Sequence, residues 1–158
     1  MRHTLSVTVE NKPGILTRVA GLFARRGYNI ESLVVAETEN PQISRMTIVV
    51  DGDGRIIEQV SKQLHKLINV LKIQDITHEE AVHRELILLR VNADATNRTE
   101  ILQVAEVFRA RIVDMSRASV TIEATGDTSK IEAILTTFRP YGIKEFARTG
   151  RLSMMRGK

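Results

Sequence analysis

The residues best suited to chemistry lie near the start of the chain, in the tetrapeptide Asn11-Lys12-Pro13-Gly14. An alternating apolar run precedes it and an apolar run with helical spacing follows it, which predicts a strand-to-helix corner. We expect Asn11 to be the helix N-cap and Pro13 to lie in the first helical turn, where its missing N–H costs little. Gly14 has no Cβ and lets another group approach the backbone closely.

Such a corner presents unpaired backbone N–H groups at the positive end of a helix dipole. These groups are suited to bind a carboxylate or a phosphate. The same residues also fit a simple tight turn with a helix cap and no ligand, because corners of this kind are common at helix starts. The corner by itself leaves both interpretations open.

No other group of residues predicts catalysis or metal binding. His78 and His83 flank Glu79-Glu80, but they are five residues apart in a linker, whereas the zinc-protease motif needs histidines four apart on one helix face. His65 lies between lysines on a predicted helix and is expected at the surface. There is no Ser-His-Asp elbow, Walker loop or dinucleotide glycine fingerprint. We therefore expect no catalytic residue and no metal site.

Composition limits the class of protein. The chain has 158 residues, of which 42% are hydrophobic and only 4% aromatic, so its cores must be aliphatic. It has no cysteine, which excludes a disulfide framework and a cysteine-based zinc site. No segment resembles a signal peptide or reaches the length of a membrane span, so we expect a cytoplasmic protein that does not bind membranes. The net charge of +4 permits an acidic partner without requiring one.

Hydrophobic periodicity predicts the elements of a first unit. The pattern indicates strands at residues 5–10, 30–38, 43–51 and 70–76, with a helix at 13–26 and a second helix that follows the loop at 52–54. Gly27 stands where a helix commonly ends in a left-handed residue. The order of these elements is βαββαβ.

The same order then recurs over the rest of the chain. Asn97, with Glu100 three residues on, is predicted to cap the third helix, and Thr128 or Ser129 the fourth. The polar stretch after residue 77 is the natural boundary, giving domains 1–77 and 78–158. The predicted fold class is α+β, with two tandem ferredoxin-like units, each having both helices on one sheet face. The other face and the edge strands need cover, so we expect a homodimer through edge pairing.

Nucleic-acid binding is an alternative for this element order. RNA-binding proteins of this topology stack bases on aromatic side chains of the central strands, and those strands carry none here. A C-terminal cluster of Arg148, Arg151, Arg156 and Lys158 is expected to be a frayed basic tail. We therefore expect no nucleic-acid partner.

Several segments at fixed spacings resemble one known family. These segments are Asn11-Lys12-Pro13-Gly14, Gly27-Tyr28-Asn29-Ile30-Glu31-Ser32-Leu33, Ser44-Arg45-Met46-Thr47-Ile48, Glu58-Gln59-Val60 and Phe146-Ala147-Arg148-Thr149-Gly150. With them, the first unit is similar to an ACT domain, a small amino-acid-sensing module, and the whole chain resembles the small regulatory subunit of acetohydroxyacid synthase (acetolactate synthase). The resemblance is strong over residues 1–90 and continues to residue 150.

The resemblance implies a subunit that is not itself an enzyme. Its partner, the large catalytic subunit, carries thiamine diphosphate, Mg²⁺ and FAD and makes acetolactate for branched-chain amino acid biosynthesis. This chain is expected to need no cofactor, to raise the activity of the large subunit, and to confer feedback inhibition by valine. Leucine or isoleucine are further candidate effectors. The alternative is an amino-acid-responsive regulator that binds nucleic acid through its second unit.

The resemblance also implies an effector site shared by two paired ACT domains. Carried over by matching motif, the site comprises Asn11, Pro13, Gly14 and Ile15 of one chain and Asn29-Ile30 of the other. The effector carboxylate would take the amides near Gly14 and Ile15, and the asparagine oxygens would accept from its ammonium group.

Overall fold

The computed structural model describes residues 1–157 and contains nine strands and four α-helices. In chain order they are β1 (Arg2–Glu10), α1 (Ile15–Arg25), β2 (Ile30–Glu37), β3 (Ile43–Asp51), α2 (Gly54–His65), β4 (Val70–Asp75), β5 (Ala81–Asn92), α3 (Arg98–Val107), β6 (Arg111–Met115), β7 (Ser119–Gly126), α4 (Thr128–Phe138), β8 (Ile143–Arg148) and β9 (Leu152–Met155). Two βαββαβ repeats are present, which confirms the predicted α+β class. The short strand β9 was not predicted.

The chain divides into two compact units. The second unit comprises residues 83–150, and the first comprises residues 1–82 together with residues 151–157. The predicted boundary lay after residue 77, with everything beyond it in the second domain. The structure differs because the chain returns to the first unit after Gly150. The second unit is therefore an insertion between two segments of the first.

The first unit is built on an antiparallel sheet with strand order β2-β3-β1-β4. In the pairing of β1 with β3, Leu5 lies opposite Ile48 and Val7 opposite Met46. These side chains pack with α1 and α2 in an aliphatic core; of the described residues that are buried in this core, Phe23 alone is aromatic. The alternation that predicted the strands thus describes the helix-facing side of this sheet.

The second unit repeats this design on strands in the order β6-β7-β5-β8. Leu89 lies opposite Ile122, and both are fully buried against α3 and α4. The helix caps of this unit differ from the prediction. Asn97 occupies the N-cap position of α3, but its side chain makes no cap hydrogen bond and its Oδ1 accepts from the Asp94 amide at 2.8 Å. Helix α4 is capped by Asp127, whose carboxylate accepts from the Lys130 amide at 2.9 Å.

The other face of the first sheet is covered by the chain's own C-terminus. Thr4 and Thr47 alternate with core residues, so they lie on the face away from the helices, yet each is only 1% exposed. Arg151 Nη1 donates to Thr4 Oγ1 at 2.9 Å, and Arg45 Nη2 donates to the Ser153 carbonyl at 2.9 Å. A second chain is therefore not needed to cover this part of the face.

The predicted frayed basic tail is wrong for the residues that the structure describes. Arg148 is ion-paired with Glu85 and Glu132, and Arg151 is bonded to the first sheet. The Arg156 amide donates to the Glu80 carbonyl at 2.9 Å. Lys158 lies outside the described residues. The guanidinium groups of Arg148 and Arg151 thus have partners within the chain, and Arg156 is held through its backbone.

Candidate functional site

The strand-to-helix corner exists, but its cap is not the one predicted. Helix α1 begins at Ile15, and its N-cap is Gly14 with φ 86°, a left-handed conformation that favours glycine. Asn11 therefore does not cap the helix, and Pro13 precedes the helix instead of lying in its first turn. The Asn11 side chain is held elsewhere, because its Nδ2 donates to the Pro41 carbonyl at 2.9 Å.

The corner leaves backbone N–H groups unpaired within residues 1–157. The Ile15 amide donates to the Lys12 carbonyl at a long 3.4 Å, while the amides of Gly14, Leu16 and Thr17 have no acceptor. They stand at the N-terminus of an eleven-residue helix with no acidic residue in its first turn. The combination of free amides and helix dipole favours an anion here.

Charges beside the corner are balanced locally. Lys12 Nζ lies 2.9 Å from Glu10 Oε2, and Asn69 Nδ2 donates to the same oxygen at 3.0 Å. The hydrogen bond from Lys12, followed by that from Asn69, holds the pKa of the Glu10 carboxyl below its ordinary value. Glu10 therefore stays ionised at neutral pH and its charge is offset by Lys12.

Asn29 and Ile30 lie at the opposite end of the same helix. Gly27, with φ 72°, follows the end of α1 in the left-handed conformation that the sequence predicted. Asn29 is exposed, and Ile30 begins β2 and packs against the core. A helix of eleven residues separates the two groups by roughly 16 Å along its axis. One chain alone therefore does not bring the predicted site residues together.

Strand β2 connects the corner to an unpaired sheet edge. Within the described residues it pairs with β3 only, so its other side offers free backbone groups. Its last residue, Glu37, accepts from Asn11 Nδ2 at 3.4 Å. The corner thus lies beside the end of an edge strand, and Asn29 precedes the beginning of that same strand.

A buried polar cluster in the first unit was missed by the sequence analysis. His3 is 6% exposed, and its Nδ1 lies 3.0 Å from Asp75 Oδ2. Burial raises the pKa of the Asp75 carboxyl, but hydrogen bonds from Thr77 and His3 outweigh it and leave the pKa below its ordinary value. The cluster ties the start of the chain to the end of β4. No spacing rule joins residues so far apart in sequence.

The described residues provide no metal centre and no membrane span. Across residues 1–157, no three His, Cys, Asp or Glu side chains are arranged to hold a metal ion. In the same part of the chain, none of the helices has both the length and the apolar character needed to cross a bilayer. His65 and His78 are exposed.

The fold and the corner place the first unit among ACT domains. Residues 5–72 match the family model described as the AHAS small subunit-like ACT domain, and residues 84–157 match the model described as the small subunit of acetolactate synthase. Together the two matches span most of the chain. The chain belongs to the family of acetolactate synthase small subunits, the regulatory subunits of that enzyme.

Individual relatives agree over nearly their full length. The chain is 58% identical to a probable acetolactate synthase small subunit of Archaeoglobus fulgidus over 157 residues, covering 99% of this chain and 98% of that one. It is 54% identical to the acetolactate synthase small subunit of Mycolicibacterium smegmatis, covering 98% and 91%. The crystal structure of the acetolactate synthase small subunit from Thermotoga maritima superposes with a TM-score of 0.91 at 43% identity, covering 100% and 99%.

Proposed function

We propose that this chain activates the catalytic subunit of acetolactate synthase and makes it sensitive to valine. Valine binds between the ACT domains of two copies, at Asn11, Pro13, Gly14 and Ile15 of one chain and Asn29-Ile30 of the other. The chain itself turns over no substrate and holds no cofactor. Thiamine diphosphate, Mg²⁺ and FAD belong to the catalytic partner, and the assembly works in the cytoplasm.

The observation that carries the proposal is the left-handed corner with its free amides. The amides of Gly14, Leu16 and Thr17 have no acceptor within residues 1–157, and the helix dipole adds positive potential at the same point. An amino-acid carboxylate satisfies several of these donors at once. Asn11 supports the other end of the ligand, because its Nδ2 is used by Pro41 and its Oδ1 is left as an acceptor for the ammonium group.

The geometry of β2 supports a site shared by two copies. Side chains of Leu33 and Val35 point to the helix side of the sheet, and those of Ser32 and Val34 point to the other side. In an antiparallel pairing of two β2 strands, residues that lie opposite one another point to the same face of the sheet. The two-fold axis therefore passes through a residue, such as Leu33 or Val34, which lies opposite its own copy. Residues 29–31 of one copy then lie opposite Glu37 of the other.

This pairing joins the two halves of the predicted site. Asn11 contacts Glu37 within each chain, so whatever lies opposite Glu37 is also beside the corner. Asn29 and Ile30 of the second copy occupy that position. Edge pairing of β2 therefore supplies both the dimer and the effector site, since neither is complete in one chain.

An apolar side chain beside the corner favours an effector with an apolar side chain. Leu16 follows the corner and is 45% exposed, although it is apolar. Burial of an isopropyl group contributes roughly 1.5–3 kcal/mol, which favours valine over smaller amino acids. Valine, leucine and isoleucine differ by about one methylene, so we expect only about 10- to 200-fold discrimination among them.

Reconstitution with the purified catalytic subunit tests the proposal. The isolated chain is expected to form no acetolactate from pyruvate, and its addition is expected to raise the rate of the catalytic subunit several-fold. Valine is expected to bind with about −4 to −8 kcal/mol, which is micromolar to low millimolar affinity. Activity of the isolated chain, or the same rate with and without it, would contradict the assignment.

A further inference from the structure

The segment from residue 151 to residue 156 bridges the strands of the first sheet. The Arg151 amide donates to Ser32 Oγ on β2 at 2.8 Å, and Arg151 Nη1 donates to Thr4 Oγ1 on β1 at 2.9 Å. The Ser153 carbonyl accepts from Arg45 on β3 at 2.9 Å. Gln74 on β4 contacts Met155 Sδ at 3.9 Å. We call residues 151–156 the C-terminal strap.

The strap is held mainly by polar contacts and buries little apolar surface. Leu152 and Met154 point outward and are 53% and 63% exposed. Ser153 points inward and is 1% exposed. Hydrogen bonds that exchange for water on opening contribute little net stability, whereas apolar burial would contribute more. Apolar burial therefore contributes little to holding the strap on the first sheet.

The polar layer beneath the strap is incompletely satisfied. Arg45 Nε and Thr47 Oγ1 are buried and have no hydrogen-bond partner among residues 1–157. Thr47 and its neighbour Thr4 are each 1% exposed on this face. Opening of the strap admits water to these atoms and removes the cost of leaving them unpaired. This cost reduces the free-energy difference between the closed and open states.

We propose that the C-terminal strap is a detachable brace that fixes the edge strand β2 through Ser32 and thereby sets the effector affinity of the β2 edge. Ser32 lies between Ile30, at the start of β2, and Glu37, at its end. When the strap is closed, the strand is held against the sheet. Opening loosens the strand and separates the residues on which the effector depends. The effector half of this proposal rests on the proposed function, whereas the bracing of β2 does not.

Thermodynamic linkage makes the coupling between strap closure and effector binding reciprocal. If closure of the strap favours the effector, the effector must favour closure by the same factor. Binding at the β2 edge then changes the order of the segment by which the second unit is joined to the first.

Ser32→Ala is the sharpest variant, because it removes the acceptor of the Arg151 amide and leaves the strand's backbone bonds intact. Arg45→Leu is the second variant, since it removes the donor to the Ser153 carbonyl. Ser129→Ala, an exposed serine on α4, is the matched control. Hydrogen exchange is measured on the full-length protein without effector, for residues 30–37 and 151–156. Calorimetric titration with valine follows for each variant.

We expect both variants to speed exchange in both segments and to weaken valine binding about two- to tenfold, while the control matches the parent. Valine added to the parent is expected to slow exchange of residues 151–156. Faster exchange confined to the strap, with β2 unchanged, would overturn the bracing. Unchanged valine affinity in both variants despite faster β2 exchange would overturn the link to the effector. If the parent binds no branched-chain amino acid, the proposed function fails, and the exchange of β2 still decides the bracing.

Discussion

Arg148 holds Glu85 by two parallel hydrogen bonds, Nε to Oε1 at 3.0 Å and Nη2 to Oε2 at 3.0 Å. Glu85 is 5% exposed, and the pair joins the first strand of the second unit to its last. The hydrogen bond that Arg148 donates to Glu85 is the main reason that the pKa of Arg148 lies above its ordinary value. The pair closes the second unit at the point where the chain enters and leaves it.

Glu85→Gln is expected to destabilise the second unit. The change leaves the Arg148 guanidinium without its buried counter-charge, which costs roughly 3–5 kcal/mol for fully buried pairs and less here, because Arg148 is partly exposed. Glu145→Gln is the control, since the pair of Glu145 with Arg90 is exposed and is expected to contribute less than about 1 kcal/mol. Urea unfolding and the hydrogen exchange of β5 both measure the loss of stability in each variant. Equal losses in the two variants would contradict the assigned role of the buried pair.

Gly14→Asp is expected to abolish valine inhibition while activation of the catalytic subunit persists. The added carboxylate stands at the positive end of the α1 dipole and repels the carboxylate of the ligand. Folding is expected to survive, because a Cβ at Gly14 meets no atom within 4 Å and Asp tolerates the left-handed conformation better than most residues. Calorimetry and acetolactate assays at increasing valine concentration measure the two effects.

Two controls separate charge from backbone strain. Gly14→Ala introduces the strain of φ 86° without the charge, and we expect a loss of roughly 1 kcal/mol in stability with most of the valine binding retained. Gly54→Asp places the same charge in the first turn of α2, away from the corner, and should leave valine binding unchanged. If Gly14→Asp binds valine as the parent does, the corner is only a turn.

Asn29→Ala is expected to weaken valine binding by roughly 1–3 kcal/mol, as for the loss of a hydrogen bond to a charged group. A mixed dimer distinguishes a shared site from two separate ones. When a Gly14→Asp chain pairs with an Asn29→Ala chain, one interface site carries both changes and the other carries neither. Mixing the two variants should therefore give one site per mixed dimer that binds valine with the affinity of the parent. No recovery after subunit exchange would place both residues in the same chain's site.

Asp75→Asn tests the buried cluster at the start of the chain. The carboxylate has a lowered pKa in the folded state, so it stabilises the fold above its ordinary pKa of 3.8, and the benefit is lost as pH falls through the lower, folded value. We expect the free energy of unfolding of the parent to exceed that of Asp75→Asn by roughly 1 kcal/mol at neutral pH. This difference is expected to shrink below about pH 4. Asp114→Asn, on an exposed strand, is the control. Urea midpoints across this pH range give the result, and a difference independent of pH would exclude an ionic role for Asp75.

Much of the fold follows from local pattern. The aliphatic residues of β1 and α1 alternate or recur with the expected period, and Gly27 ends its helix as predicted, because these signals depend on near neighbours. The cap at Asn11 was wrong for the opposite reason. Its side chain is taken by Pro41 and Glu37, which lie far along the chain, and a tertiary partner of this kind leaves no mark in the local sequence.

The candidate site was only partly accessible from sequence. The glycine at the corner is visible as a residue that allows φ above zero, and Gly14 does adopt that conformation. The strap was not foreseen, because Leu152–Met155 is too short to show a period and its partners are polar side chains on other strands. Arg151 was likewise predicted to be part of a surface basic tail, because nothing near it in sequence indicates its contact with Thr4.

The return of the chain to its first unit makes that unit a fold in two pieces. A fragment that stops at residue 77 or 82 lacks the residues that cover Thr4 and Thr47. In chain-entropy terms, residues 83–150 act as the tether that keeps the last segment at high effective concentration beside its sheet. A peptide of residues 150–157, supplied in trans at millimolar concentration, would have to replace that tether by mass action. The smallest autonomous form of the first unit is therefore expected to be a complementation pair, or a permuted chain in which the final segment precedes residue 1.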